Sequence, residues 1–191
     1  MPAVKAAHRS NWKASRRQDF VTKMIAEIQR RRCEIVRISI SGDFYSPDYV
    51  EKWVEIVRNC PTTVFFSYTR SWRLAAIRPA LDRLAALPNM RLWWSVDSET
   101  GIPDDVPPRV RLAYMSVALI DEPAQPVDLV FRDYPIRGIT QKRVAGAMVC
   151  PPENGVTKIN CEKCGFCWRN RPSSRPAQAS NRRWPLSVLT D

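Results

Sequence analysis

This chain of 191 residues predicts an α/β fold: a mostly parallel sheet with packed helices, curved as a partial barrel. Three observations carry that expectation. Short runs of β-branched and aromatic residues alternate with amphipathic stretches at helical spacing. Turn-forming residues stand at most of the junctions between them. Apolar residues make up 45% of the chain, enough for a core. No apolar run reaches the about 18–20 residues that a membrane span needs.

The elements follow in order. Residues 10–32 read as one basic helix, because Phe20, Met24, Ile25 and Ile28 recur at helical spacing. Residues 34–40 alternate and place Ile and Val on β-branched positions, as a strand does. They run into Ser41-Gly42-Asp43, a turn. Ser46 and Pro47 open the next helix as N-cap and first helical residue. Its apolar face is Tyr49, Val50, Trp53, Val54 and Val57, and Pro61 follows its end. The pattern then repeats. Residues 63–68 make a second strand, left by Thr69-Arg70-Ser71-Trp72. Residues 74–87 make an Ala/Leu/Arg helix that stops at Pro88-Asn89. Residues 91–96 make a third strand, followed by Asp97 and a Pro/Asp loop to Pro108. Residues 109–118 and 127–133 read as the fourth and fifth strands. Alternating strands and helices imply parallel pairing with right-handed crossovers.

Four parts are expected. They are a basic helical arm at 1–33, an α/β domain at 34–148, a cysteine segment at 149–168 and a tail at 169–191. The tail is rich in Arg, Pro and Ser and is disordered by composition. The net charge of +11 is uneven. Residues 1–32 carry nine Lys or Arg against two acids, and residues 169–191 carry five Arg against one acid. The middle is near neutral. Basic ends on a neutral body fit a nucleic-acid phosphate backbone, and they also fit simple solubility. Trp12 in the arm, with Trp168 and Trp184 towards the tail, adds aromatic faces among the cations. The N-terminus has no apolar secretory core, so a cytoplasmic protein without a membrane partner is expected.

Four of the six cysteines, Cys150, Cys161, Cys164 and Cys167, are spaced C-x10-C-x2-C-x2-C. Pro151, Pro152, Asn154, Gly155 and Gly165 make this stretch turn-rich. Tight turns bring thiolates onto one metal centre. Cys161-Glu162-Lys163-Cys164-Gly165 fits a zinc knuckle. The run of three with one remote cysteine, and Pro151 directly after Cys150, is closer to a [4Fe–4S] ligand set. The cofactor expected is therefore an iron–sulfur cluster or zinc, against a loop of free or disulfide-linked thiols. Cys33 and Cys60 read as buried or idle thiols.

In parallel α/β folds, functional groups gather at the carboxyl ends of the strands. Those ends carry Ser41, Gly42 and Asp43; Tyr68, Thr69 and Arg70; Ser95, Asp97 and Ser98; and later Arg132 and Asp133. Asp43, Tyr68, Arg70 and Asp97 are the catalytic candidates, with Ser41 and Gly42 as a ligand-binding turn. Asp43 and Asp97 fit turn or helix capping equally well. The one histidine, His8, cannot supply a histidine-based metal site or a triad, and no Walker motif or GxGxxG occurs.

The segments Ile40-Ser41-Gly42-Asp43-Phe44, Phe66-Ser67-Tyr68-Thr69-Arg70-Ser71-Trp72 and Ser95-Val96-Asp97-Ser98 carry a family likeness. So do the helix of Trp53, Val149-Cys150-Pro151 and the run Cys161 to Trp168. Together, over about residues 34–168, they resemble the "gene product 88" type of phage and plasmid proteins. That resemblance implies a mobile-element origin and a barrel-like domain with a cysteine cluster. The domain is also similar to a radical-SAM half-barrel, in which a Gly-rich acidic turn such as Ser41-Gly42-Asp43 would hold the cofactor's methionine amine. Those enzymes need C-x3-C-x2-C near the first strand, whereas no cysteine here precedes Cys33. The expected function is a metal-cluster protein associated with nucleic acid. The alternatives are a small-substrate enzyme using the strand-end rim, and a domain stapled by its metal.

Overall fold

The computed structural model describes residues 2–117, 122–132, 143–144, 146–152 and 159–170. Asp133, Trp184 and the tail from residue 171 onward lie outside them. The chain begins with helices α1 (Pro2–Ser15) and α2 (Phe20–Arg30). Strand β1 (Ile35–Arg37), helix α3 (Pro47–Asn59), strand β2 (Val64–Thr69), helix α4 (Arg78–Ala85) and strand β3 (Met90–Val96) follow in alternation. Strands β4 (Arg111–Ser116), β5 (Leu129–Arg132), β6 (Arg143–Val144) and β7 (Ala147–Val149) complete the sheet, and α5 (Cys161–Cys164) is a single turn.

The sheet order is β1-β2-β3-β4-β5-β7-β6. The first six strands in that order are parallel, with Ile35 beside Val64, Tyr68 beside Trp93, Val96 beside Tyr114 and Val130 beside Val149. Two-residue β6 pairs antiparallel with β7 at the far edge. The α/β class and its parallel sheet are thus as expected. The local reasons are also legible. Ser46 caps α3, its Oγ accepting from the Tyr49 amide at 3.2 Å, and Pro47 stands at the first helical position.

Strands that follow one another in space as they do in sequence keep every crossover on one side. Helices α2, α3 and α4 accordingly meet the sheet in a single apolar cluster. It joins Ile28, Val50, Val57, Leu81 and Leu84 to Phe65, Leu92, Trp94, Leu112 and Val130. Along β3 the side chains alternate: Met90, Leu92, Trp94 and Val96 face that cluster, and Trp93 faces the opposite side. The opposite face has its own core of Trp93, Ala113 and Leu129.

Three element boundaries differ from expectation, each for a physical reason. The basic helix is two helices. The Lys52 ammonium donates to the carbonyls of Ser15 (2.8 Å) and Arg17 (3.2 Å), satisfying acceptors that a continuous helix would have used. Arg17 also folds onto Asp19 through two bonds of 2.8 Å. Strand β1 is shorter than residues 34–40, because the chain leaves β2 after the Ile38 amide reaches the Phe66 carbonyl. Helix α4 starts at Arg78 rather than at 74, since Pro79 suits the first turn and has no N–H for an earlier one. Strands β6 and β7 are too short to give a periodic signal.

Candidate functional site

Asp43 joins the ends of β1 and β2. Its Oδ1 accepts from the Thr69 hydroxyl (2.5 Å) and the Phe44 amide (2.7 Å). Its Oδ2 accepts from the amides of Arg70 (2.6 Å) and Ser71 (3.2 Å). The Ser71 hydroxyl returns a bond to the Phe44 carbonyl at 2.7 Å. Four donors surround the carboxylate, and two of them, the Arg70 and Ser71 amides, open the short 3-10 turn Ser71–Arg73. The next strand end is tied in the same way. The Trp72 indole donates to the Ser95 carbonyl at 3.0 Å and stacks on Trp94 with ring centroids 5.3 Å apart. The Arg70 guanidinium pairs with Asp97 at 2.5 Å.

Asp97 is 6% exposed. Its Oδ1 accepts from the Thr100 amide at 2.7 Å, closing a turn. Burial opposes the charge. The hydrogen bonds from Thr100 and the nearby Arg70 outweigh it, so the Asp97 carboxyl lies below its ordinary range. Asp43, Arg70 and Asp97 therefore form one network, as their positions at strand ends suggested. Tyr68 does not share it. Thr69 turns toward Asp43, and the preceding residue of a strand must point the other way. The alternation Phe66-Ser67-Tyr68-Thr69 carried that signal in the sequence.

Tyr68 belongs to the opposite face, among Phe131, Met148, Cys150, Phe166 and Cys167 around the Trp93 core. The segment at 159–170 lies across this face. The Trp93 indole donates to the Cys167 carbonyl at 2.9 Å, and Arg111 donates to the carbonyls of Phe166 (3.3 Å) and Arg169 (3.1 Å). The Arg111 guanidinium sits 4.3 Å from the Trp93 ring centroid. Phe166 packs on Trp93, and Trp168 packs on Phe66 at 5.4 Å between centroids. Trp168, expected among the tail's cations, is thus part of this cover.

Cys150, at the end of β7, and Cys167 rest on the same cluster. Cys161 and Cys164 occupy one helical turn, capped by the Asn160 side chain and closed by Gly165 at φ +61°. A Cβ on Gly165 would also stand 2.5 Å from the Arg169 side chain. None of the six cysteines is in a disulfide. Burial pushes the Cys167 thiol up, with Cys164 and Cys161 adding to the shift against Tyr68 and Arg111. Burial and the Cys167 neighbour raise the Tyr68 phenol as well. The Tyr68 hydroxyl lies beside Cys167 without a conventional hydrogen bond. Among the described residues, no three Cys, His, Asp or Glu side chains converge on one point as ligands of an ion.

On the other side of the strand ends, α1 lies over the 38–43 loop and leaves a cleft of about 430 Å³. Ser41 and Gly42, the expected ligand-binding turn, line it together with Asp43, His8, Trp12 and Tyr45. No local signal points to the His8 and Trp12 wall, because nothing in the nearby residues relates α1 to this loop. Helix α1 is held there by His8 Nε2 against Ser41 Oγ (2.6 Å) and by the Ser15 and Tyr45 hydroxyls (2.9 Å).

The family model described as "Gene product 88" matches residues 1–170. The "Gene 88 protein" of Mycobacterium phage L5 is 26% identical over 193 residues, which cover 88% of this chain and 70% of the phage protein. That of Mycobacterium phage D29 is 26% identical over 196 residues, with shares of 90% and 70%. The phage context expected from the sequence is that of these relatives. No solved structure matches the chain, and none of these likenesses points to a radical-SAM enzyme. Among the described residues, no helix is long and apolar enough to cross a membrane.

Asp43→Asn should cost about 1–3 kcal/mol in urea denaturation, since an amide group must turn toward two of the four donors. Thr69→Val, which removes the bond to Asp43 and the one that the Thr69 hydroxyl accepts from the Ser71 amide, should cost about 1–2 kcal/mol. Equal stability of Asp43→Asn and the parent would contradict the clasp. For Asp97, the carboxyl lowered on folding adds stability above the ordinary carboxyl range. That contribution is lost as pH falls through the lowered value. The stability gap between the parent and Asp97→Asn should therefore be widest near neutrality and close in acid.

Proposed function

We propose that this chain, which belongs to the gene product 88 family, is a metal-centre protein. In this proposal Cys150, Cys161, Cys164 and Cys167 hold an iron–sulfur cluster or zinc on the face of the sheet opposite α2, α3 and α4. One observation carries the proposal: the remote Cys150 and the last cysteine of the run, Cys167, pack on the same Trp93, Ala113 and Leu129 core. A remote ligand and a C-x2-C-x2-C run need that proximity to share a centre. The donor set fits chemically, being four cysteines outside any disulfide with the Arg111 charge close to Cys167. The ligands would have to draw together from their present positions. The centre would supply thiolate-bound charge and a cross-link between β7 and the segment that covers the sheet. Because the buried Cys167 thiol holds its proton firmly, metal uptake would release protons and strengthen as pH rises.

Protein purified without oxygen should contain about four iron atoms per chain, or about one zinc ion if the site is a zinc centre. Cys150→Ser should lose the metal, and Cys33→Ser should keep it. Metal-free parent protein, or full metal in Cys150→Ser, would overturn the proposal.

A second reading, association with nucleic acid, is favoured by α1. Lys5, Arg9, Lys13 and Arg16 are exposed on or directly after a helix that contains no acid. Among the described residues, none of the four forms an ion pair, whereas Arg17, Lys23, Arg30 and Arg31 do. Phosphate contacts by these four cations should give a salt dependence set by counterion release. Affinity for single-stranded DNA should fall on the order of fifty-fold between 50 and 200 mM salt. Changing all four to Gln should flatten that slope. Binding with no salt dependence would refute this reading.

A further inference from the structure

We infer that the cleft between α1 and the carboxyl end of β1 is a nucleotide subsite, taking one base and its phosphate from single-stranded nucleic acid. This rests on the second reading above and adds the place of contact. The cleft's volume of about 430 Å³ is in the range of small-ligand sites, roughly 300–1,000 Å³. It sits where open parallel sheets bind ligands, beyond the strand ends.

Its walls have the chemistry of a nucleotide. Trp12 is 47% exposed, Tyr45 43% and Ile40 83%, so large flat or apolar surfaces meet solvent in one place. Base stacking would use them. Tyr45 is already held for that purpose, stacked on Tyr49 with centroids 4.6 Å apart and bonded to Ser15. Polar groups are nearby: His8 and Ser41 meet across the cleft, and Asn11 and Ser39 line it. Gly42, at φ +85°, has open space where a Cβ would stand, which leaves its backbone approachable.

The charge pattern points the same way. Asp43 is the one acid in the lining, and its carboxylate is occupied by four donors at the strand ends. Positions 8, 11, 12 and 15 of α1 form one helical stripe along the cleft. Lys5 lies a turn before it, and Arg16 a turn after Trp12, its guanidinium 4.7 Å from the Trp12 ring. A neutral aromatic ligand would leave these cations unused, and a bare phosphate would leave the rings unused. A phosphorylated base uses both.

The test is equilibrium binding of a short oligothymidylate to the full chain, with thymidine monophosphate as competitor. Trp12→Ala removes a ring and no charge. It should weaken binding about fivefold to a hundredfold, as loss of one stacked base does, while leaving the salt slope unchanged. Ile40→Glu, at a site exposed enough to leave packing alone, should weaken binding as well, and the monophosphate should compete. If both variants bind like the parent while the salt slope persists, the cleft is not the subsite and the charge reading of α1 survives. If the parent binds no oligonucleotide at low salt, both fall.

Discussion

The Asp43 carboxylate is the contact on which the arrangement at the strand ends depends. A parallel sheet has no tight hairpins, so nothing local tells the end of one strand where the next must stop. Here two oxygens collect four donors from residues on either side of the β1–β2 boundary. The Ser71 hydroxyl, the Trp72 indole and the Arg70–Asp97 pair pass the constraint on to β3. Three loops that would otherwise move separately are joined through bonds to backbone amides and carbonyls. An aspartate so fully engaged aligns the rim.

The second constraint is topological. With crossovers of one hand and strands in sequence order, every helix of the α/β repeat falls on one side. The other side still carries Trp93, Ala113 and Leu129, which are almost wholly buried. Their burial depends on the segment that returns over them, bonded through Trp93 and Arg111 to its backbone carbonyls. The cysteines lie in that cover and at the edge of β7. A cross-link there would hold down the part of the chain that covers the face opposite α2, α3 and α4. In the proposed metal centre, the structural and cofactor roles of the cysteines would be two aspects of one geometry.

The two faces of the rim divide the chemistry. Toward α1 lie hydroxyls and exposed rings, with Arg16 over Trp12, and toward the cysteine segment lie thiols, a buried phenol and Arg111 stacked on Trp93. Tyr68 shows how fine the division is. One residue separates it from Thr69, yet the pleat sends the two side chains into different sites. Position at a strand end alone does not decide which of the two sites a side chain enters.

What the sequence determined by itself was set within a few residues. Ser46-Pro47 starts α3 through its own hydroxyl and ring, the two-residue period marks β2 and β3, and the Cys161-x-x-Cys164-Gly165 spacing forms one turn with its glycine cap. What only the tertiary structure decided were contacts between residues far apart in the chain. Lys52 reaches across to break the basic helix, Thr69, Arg70 and Ser71 surround Asp43, and α1 lies against the 38–43 loop. Cys150 and Cys167 share a cluster because β7 pairs with β5 while the returning segment crosses β3 and β4 beside it. Local periodicity reports which face of an element is apolar. It does not report which distant donor, ring or thiol will cover that face, because this depends on strand order and on the packing that follows from it.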